Sequence, residues 1–312
     1  MTATFLLLGL TVTTQATSAV PKAIHPENPV YSTLRTKGAT LAGVQVDFPA
    51  PLHKEGTSAE AEHADLKRLT GSDRSLAEFT RDSVSAPIIL KTRDEPAGEK
   101  GIVRMADLWF VVRASLDEID PTSADSSTGE GKTVEAGNMR FGSVRLEPKD
   151  LSARGITPGA GKSGSREWYI HLTSRMLDRI HVEATDRMTA TRSDGSWIVG
   201  TITDSRFDAD QTLPNVWHAI KRQGATEKPG LDEVYAGGAS IITISRLASV
   251  EGALLIEAHF AFFEPKAWFN GAPVLRSKIG VVAQDRIRGL RRALAKSRKG
   301  EGGRSPTGRP GG

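Results

Sequence analysis

The stretch IHVEATDRMTATRSDGSWIVGTITD, residues 180–204, indicates how the chain folds. Its first part alternates apolar and polar side chains: Ile180, Val182 and Ala184 against His181, Glu183 and Thr185. A period of two is typical of a half-buried strand. The sequence SDGS at 193–196 contains an Asp-Gly pair, which is typical of a tight turn, and the apolar WIVGTITD follows it. The stretch therefore predicts a long antiparallel hairpin.

A second hairpin and a long helix complete this half of the chain. The segments ASIITISRL (239–247) and GALLIEAHFAFFEP (252–265) are strand-like. The next segment, 273–299, keeps five apolar residues on one face of a helix: Leu275, Ile279, Val282, Leu290 and Leu294. We predict an α+β fold, in which a mainly antiparallel, curved sheet is packed by the long C-terminal helix. This order of elements is loosely similar to the helix-grip fold.

The earlier part of the chain adds two helices and three strands to this prediction. The helices span 58–69 and 72–82, are capped by Ser58 and Ser72, and are expected at one edge of the sheet. The strands are expected within 85–93, 101–116 and 139–148. The segment LPNVWHAIKRQG (213–224) predicts a short helix that begins at Pro214 and ends at Gly224.

The composition changes along the chain predict six segments. They are a signal peptide (1–19), an extended segment (20–57), an α+β N-terminal half (58–150), a flexible connection (151–166), antiparallel hairpins with the C-terminal helix (167–297), and a disordered basic tail (298–312). The two halves are expected to form either one domain or two that meet near the connection.

The N-terminus predicts export to the periplasm or the extracellular space. An apolar segment, 5–12, precedes the small residues Thr17, Ser18 and Ala19, which export peptidases accept. Eight apolar residues are too few to span a bilayer, so a membrane-spanning protein is not expected. The chain has no cysteine, which excludes disulfides, thiolate nucleophiles and sulfur-ligated zinc.

The glycine-rich run GITPGAGKSGS, residues 155–165, resembles a phosphate-binding loop but lacks its spacing. That loop needs a glycine five residues before Gly161, and Ile156 stands there. The segment after Lys162 is strand-like, whereas a phosphate-binding loop leads into a helix. We therefore expect a flexible connection and no nucleotide.

Two His-Glu steps are the best candidates for chemistry. His181 and Glu183, and Glu257 and His259, each lie two residues apart on the polar face of a predicted strand. If the two strands were neighbours, the four groups would form an acid-base cluster or a divalent-metal site. The alternatives are that both faces are solvated or that each His pairs with its own Glu.

Other motifs for catalysis are weak or missing. Asp204, Asp208 and Asp210 offer oxygen ligands for calcium but lack the spacing of a helix-loop-helix site, and the alternative is an acidic turn. The sequence contains no Gly-x-Ser-x-Gly, Ser-x-x-Lys or His-Glu-x-x-His motif, which disfavours the hydrolases that use them. No cofactor is predicted, apart from the option of a divalent metal.

The segment 254–278 has the most distinctive pattern, EAHxAFxEPxxWFxG followed by LRSK. It resembles the C-terminal part of a group of uncharacterised exported bacterial proteins. The resemblance covers roughly 168–292 and implies no activity.

The charge is unevenly distributed. From Arg276 to the end there are 11 Lys or Arg and 2 acidic residues, a balance of +9, whereas the whole chain carries +4, which leaves −5 for everything before it. The candidates for contact with an anionic membrane surface or envelope polymer are Arg286, Arg288, Arg291, Arg292, Lys296, Arg298 and Lys299. The alternative is a solvated helix face. Nucleic acid is not expected, since no aromatic residues are interleaved with these charges.

These observations favour a noncatalytic exported protein of the cell envelope that binds a ligand, with an apolar ligand as one option, or a partner. The alternative is a metal-assisted hydrolase that uses the four His and Glu residues.

Overall fold

The structure is a computed structural model, and it describes residues 27–123, 134–136, 139–157, 165–223, 226–270 and 272–301. The predicted signal peptide, the middle of the glycine-rich run and most of the predicted tail lie outside these ranges. The helices are α1 (Pro29–Thr36), α2 (Ala59–Thr70), α3 (Asp73–Phe79), α4 (Pro148–Ser152) and α5 (Val274–Glu301). The first seven strands are β1 (Ala39–Leu41), β2 (Val44–Val46), β3 (Ile89–Pro96), β4 (Gly101–Arg113), β5 (Val134–Ala136), β6 (Met139–Arg145) and β7 (Ser165–Met176). The others are β8 (Ile180–Arg192), β9 (Ser196–Thr203), β10 (Val216–Gln223), β11 (Thr226–Pro229), β12 (Glu233–Val234), β13 (Gly238–Arg246) and β14 (Ala253–Pro265).

The predicted α+β fold is confirmed. Twelve strands form one antiparallel sheet in the order β3-β4-β14-β13-β9-β8-β7-β6-β5, with β10, β11 and β12 attached beside β8, and the sheet does not close. Both predicted hairpins are present, as β8-β9 and β13-β14. Because β4 pairs with β14 along its whole length, the two halves of the chain share one sheet.

The long helix α5 packs on one face of this sheet. Its buried residues Leu275, Val282, Ile287, Leu290 and Leu294 join the even-numbered side chains of β4 and β14 in the largest apolar cluster. Four of these five residues belong to the predicted apolar face, and Ile279 packs against the cluster as a partly buried residue. The helix runs to Glu301, so it includes the first residues of the segment that the sequence predicts as tail.

The N-terminal helices cover the opposite face of the sheet, which corrects their expected place at its edge. Leu66 of α2 and Phe79 of α3 pack on the odd-numbered residues Trp109 and Leu255. Side chains alternate along a strand, so these residues point away from α5. The two caps are as predicted, since Ser58 and Ser72 each accept a hydrogen bond from the first turn.

The segment 20–57 is not simply extended where the structure describes it. It contains α1 and the β1-β2 hairpin, because the Asn28 side chain caps the helix by accepting from the Tyr31 N–H and Pro29 occupies the first turn. Asn28 also donates to the carbonyls of Thr189 and Ile198, and this attaches the start of the chain to the β8-β9 hairpin.

Two other predicted segments differ from the structure. The segment 213–224 is not a helix but contains β10, in which Trp217 is buried against the sheet and its neighbours are half-exposed. Val216 and Trp217, which follow Pro214 and Asn215, are residues that favour strands, and pairing with β8 decides the local structure. Within the predicted connection 151–166, Leu151 and Ile156 are buried and β7 begins at Ser165, so only 158–164 lie outside the described residues.

No helix among the described residues combines the length and apolar character needed to cross a bilayer.

Candidate functional sites

The structure places the two predicted His-Glu pairs on the same face of the sheet but far apart. Glu257 on β14 is level with Thr243, Ile198 and Thr191 on the next three strands. Glu183 is eight residues from Thr191 along β8. Strand spacing and rise place the pairs about 30 Å from each other. The four residues do not form one cluster, and each His pairs with its own Glu.

The pair on β14 belongs to a buried triad. His259 lies 2.6 Å from Asp107 through Nδ1 and 2.7 Å from Glu257 through Nε2. Both ring nitrogens face carboxylates, so both donate only when the ring is an imidazolium. Burial opposes protonation, but the hydrogen bonds with Asp107 and Glu257 outweigh it and raise the pKa of His259.

The surroundings of this triad give it a structural role. The N–H of Leu52 donates to Glu257 at 2.8 Å, and the indole of Trp109 meets the imidazole edge-on at 5.6 Å. His259 and Glu257 are each 2% exposed. The triad therefore joins β4, β14 and the segment around Leu52, and it leaves no ring nitrogen for a substrate or a metal.

The pair on β8 belongs to a half-exposed histidine cluster. The two oxygens of Glu183 face Nε2 of His181 at 3.0 Å and Nε2 of His171 at 3.2 Å. Hydrogen bonds from the two rings hold the pKa of Glu183 well below its usual range. His218, opposite His181 on β10, stacks on that ring at 4.9 Å, and its Nδ1 lies 2.9 Å from Asp232.

Sequence reasoning found His181 and Glu183 but missed His171 and His218. His171 could have been found from its position on β7, because β7 pairs with β8 through the turn at 177–179. His218 could not be placed beside His181, because its segment was interpreted as a helix.

The three predicted calcium ligands do not converge. Asp204 pairs with Arg206, Asp208 accepts from Asn215, and Asp210 accepts from Arg154 at 2.9 Å. The alternative interpretation, an acidic turn, is the one that the contacts favour. In the part of the chain that the structure describes, no three His, Asp or Glu side chains form a preassembled metal site.

The residues of the predicted basic surface of α5 lie in different surroundings. Arg288, Arg292 and Lys296 are exposed. Arg286 is half-buried and donates to the Glu135 carbonyl, and Arg298 pairs with Asp82 at 3.3 Å. The Lys299 side chain lies outside the described part.

Arg291 does not lie on this surface, which corrects its prediction as a contact for an anionic surface. It is 6% exposed and points into the protein. Strand β3 stops pairing with β4 at Trp109, so the outer edge of the last residues of β4 has no partner strand among the described residues. The guanidinium of Arg291 occupies this edge, where Nε donates to the Val111 carbonyl at 3.0 Å and Nη1 to the Ala86 carbonyl at 2.6 Å.

A groove of about 380 Å³ opens beside Arg291, between α5, the end of β4 and the loop after α3. Its polar wall consists of Arg81, Asp82, Ser83, Arg113, Arg291 and Arg298, and its apolar wall of Val84, Val111, Val112, Leu294 and Ala295. Four cations and one carboxylate give the groove a net positive charge.

Two arginines of the groove have no carboxylate partner among the described residues. Arg113 donates to the carbonyls of Glu251 and Thr80, and its buried Nε has no acceptor within the described ranges. Nη2 of Arg291 is also buried and has no acceptor in the described part of the chain. Burial without a counter-ion lowers the pKa of Arg291 to about 10.

The interface between the sheet and α5 offers far less space. The cavity there measures about 20 Å³ and is lined by apolar residues that include Phe141, Phe260 and Leu275. That volume is close to the size of one water molecule.

A scan of protein-family models and a search of curated proteins both gave no match to this chain.

Proposed function

We propose that the protein is a noncatalytic binding protein whose ligand is a small organic anion with an apolar part, held in the groove beside Arg291. The observation that carries the proposal is the buried guanidinium of Arg291, which has an unsatisfied Nη2 and no counter-ion among the described residues. A carboxylate or phosphate oxygen is the natural acceptor for such a group.

The chemistry of the two walls of the groove supports this class of ligand. Arg113 and Arg291 provide donors for an anionic head group, and the valines with Leu294 and Ala295 provide an apolar surface for a short chain or ring. The volume lies at the low end of small-molecule pockets. The N-terminal segment 5–19 supports a location outside the cytoplasm, and this is part of the same proposal.

The proposal predicts that octanoate or octyl phosphate binds in the groove and that Arg291→Met weakens binding by about 10- to 100-fold. That factor corresponds to the loss of one charge-assisted hydrogen-bond group. Isothermal titration calorimetry measures it. Arg292→Met removes an exposed charge one residue away and is the matched control, with affinity expected to be unchanged.

Two comparisons make this test decisive. Octylamine has the same chain with a cationic head, so equal binding of octylamine and octanoate contradicts the proposal. Arg113→Met provides a second variant in case Arg291→Met unfolds, and unchanged octanoate affinity in Arg113→Met also contradicts it.

A second candidate function is attachment to an anionic membrane surface, favoured by the positions of Arg288, Arg292 and Lys296. They recur every four residues and are exposed, so they form one row along α5, and none has a salt bridge to a described residue. Each cation near an anionic membrane contributes about 1 kcal/mol to binding.

This candidate predicts that replacing the three residues by Gln lowers binding to phosphatidylglycerol vesicles by about 100-fold at low salt. The matched control replaces Lys37, Lys54 and Lys228, which are exposed elsewhere and change the net charge equally. Vesicle co-sedimentation measures both variants. Equal loss in the two variants would mean that the row has no special role.

A further inference from the structure

The four arginines of the groove differ in whether their charge is already balanced. Arg81 and Arg298 each have a carboxylate within 3.3 Å. Arg113 and Arg291 donate to backbone carbonyls instead, and neither pairs with a carboxylate of the described residues. Because a carbonyl carries no net charge, two of the four positive charges remain unbalanced.

Two unbalanced charges favour a head group that carries two negative charges. A carboxylate has one negative charge, so it balances one guanidinium and leaves the other without a counter-ion. A phosphate monoester has nearly two negative charges above its second pKa of about 6, and its three terminal oxygens are strong hydrogen-bond acceptors. Guanidinium groups pair well with phosphate, because their planar fork of donors matches its oxygens.

We propose that the ligand of the groove is a phosphate monoester with a short apolar substituent, bound as the dianion beside Arg113 and Arg291. This inference rests on the proposed function and narrows the ligand from organic anions in general to one chemical class. The substituent covers the apolar wall, which includes Val84, Leu294 and Ala295. Burial of that substituent adds to the affinity that the head group provides.

The charge of the lining is constant over the pH range in which a phosphate monoester titrates. Burial lowers the pKa of Arg291 only to about 10. The other charged residues of the lining are Arg81, Asp82, Arg113 and Arg298, and the described lining contains no histidine. Arginine and aspartate do not ordinarily change charge between pH 5 and pH 8. A change in affinity between these pH values therefore reports the ionisation of the ligand.

Three octyl ligands separate the effect of charge from that of shape, measured by isothermal titration calorimetry of the full chain at low salt. Octyl phosphate has a tetrahedral head with two charges at pH 8, octyl sulfate a tetrahedral head with one, and octanoate a planar head with one. At pH 8 we expect octyl phosphate to bind at least about 10-fold more tightly than either of the others. Its advantage over octyl sulfate should fall several-fold at pH 5, where it carries close to one charge.

Variants of the groove provide a second measurement. Arg113→Met removes one unbalanced charge, so it should weaken octyl phosphate by a larger factor than octyl sulfate, because the Coulomb energy scales with the charge of the ligand. Asp82→Asn changes a half-exposed side chain and removes the one carboxylate of the described lining, so it should strengthen octyl phosphate more than octyl sulfate. Lys228→Met, which removes an exposed cation on β11, is the matched control and should change neither affinity.

The outcomes distinguish this inference from the proposed function on which it rests. Equal affinities of octyl phosphate and octyl sulfate at pH 8, or an advantage of the phosphate that persists unchanged at pH 5, overturn the dianion and leave the groove as an anion site. If none of the octyl anions binds, the proposed function fails as well. Inorganic phosphate that binds as tightly as octyl phosphate overturns the apolar substituent.

The variants decide the role of the arginines. Equal effects of Arg113→Met on the two tetrahedral ligands, or the same loss in Lys228→Met, contradict the inference. Circular dichroism shows whether Arg113→Met folds, and if it does not, Asp82→Asn decides in the same way, since equal effects of this variant on the two ligands also contradict the inference.

Discussion

Replacing Arg104 by Met is expected to lower the free energy of unfolding by about 3–5 kcal/mol, the range for breaking a buried ion pair from one side. Arg104 is fully buried on the α5 face of β4. Its Nη1 donates to both oxygens of Asp94 at 2.8 and 2.9 Å, and its Nε donates to Glu264 at 2.8 Å. Without the guanidinium, the buried carboxylate of Glu264 loses its cation and faces the partly exposed carboxylate of Asp94.

The loss of stability in Arg104→Met is also expected to depend on pH. Burial already raises the pKa of Glu264 even though Arg104 opposes the shift, so the pKa rises further when Arg104 is removed. A carboxyl whose folded pKa exceeds its unfolded value makes the folded state less stable as pH rises between the two values. The stability of the variant should therefore be closest to that of the wild type at acidic pH.

Urea unfolding at several pH values measures this prediction. The control is Arg140→Met, whose side chain is 52% exposed and whose ion pair with Glu135 contributes at most about 1 kcal/mol. The double variant Arg104→Met with Glu264→Gln should recover part of the loss. A loss below about 1 kcal/mol in the single variant, or no recovery in the double, contradicts the account.

Replacing Asp186 by Asn is expected to stabilise the protein by about 2–4 kcal/mol at pH 8. Asp186 is fully buried on β8, and burial raises its pKa to about 7, although the hydrogen bond from Thr203 at 2.7 Å favours the charged form. Its second oxygen has no hydrogen-bond partner among the described residues. Asn keeps the acceptor for Thr203 and removes the charge.

The direction in which stability changes with pH follows from the pKa values of Asp186 in the folded and unfolded states. Between the unfolded value of 3.8 and the folded value of about 7, the folded state holds a proton that the unfolded state releases. Stability therefore falls as pH rises through this window and is constant above it. The Asn variant should lack this fall, and the difference between the two proteins isolates Asp186 from other titrating groups.

Chemical unfolding at pH 5 and pH 8 is the measurement. The exposed Asp285→Asn is the control, and a change within about 0.5 kcal/mol is expected for it. Parallel pH profiles for wild type and Asp186→Asn would show that Asp186 is charged and compensated in the folded state.

The sheet and its long helix could be predicted because their signals are local. The alternation at 180–185, the turn at 193–196 and the apolar face of α5 each lie within a few residues. Segment 213–224 shows the limit of such signals. Its proline at the start and glycine at the end favour a helix, but the side of β8 that remains free at 180–183 is completed by β10.

That single error hid part of the histidine cluster, because His218 reaches His181 only when 216–223 is a strand. The groove could not be predicted at all. Arg113, Arg291 and the loop at 81–84 are far apart in sequence, and no spacing encodes their meeting. The two His-Glu steps were found correctly as pairs, but their relative position depends on a strand order that the sequence does not contain.

The pairing of β4 with β14 also determines when the protein can fold. Strand β4 has only the adjacent β3 as a partner until residues 253–265 have been synthesised. Asn28 likewise lacks its hydrogen-bond acceptors until Thr189 and Ile198 have been synthesised. Contacts of such long range make folding slow, since the chain must close large loops before it gains their stabilisation. The N-terminal part therefore leaves the ribosome before its partner strands have been made, and for most of synthesis its apolar surfaces remain accessible to chaperones.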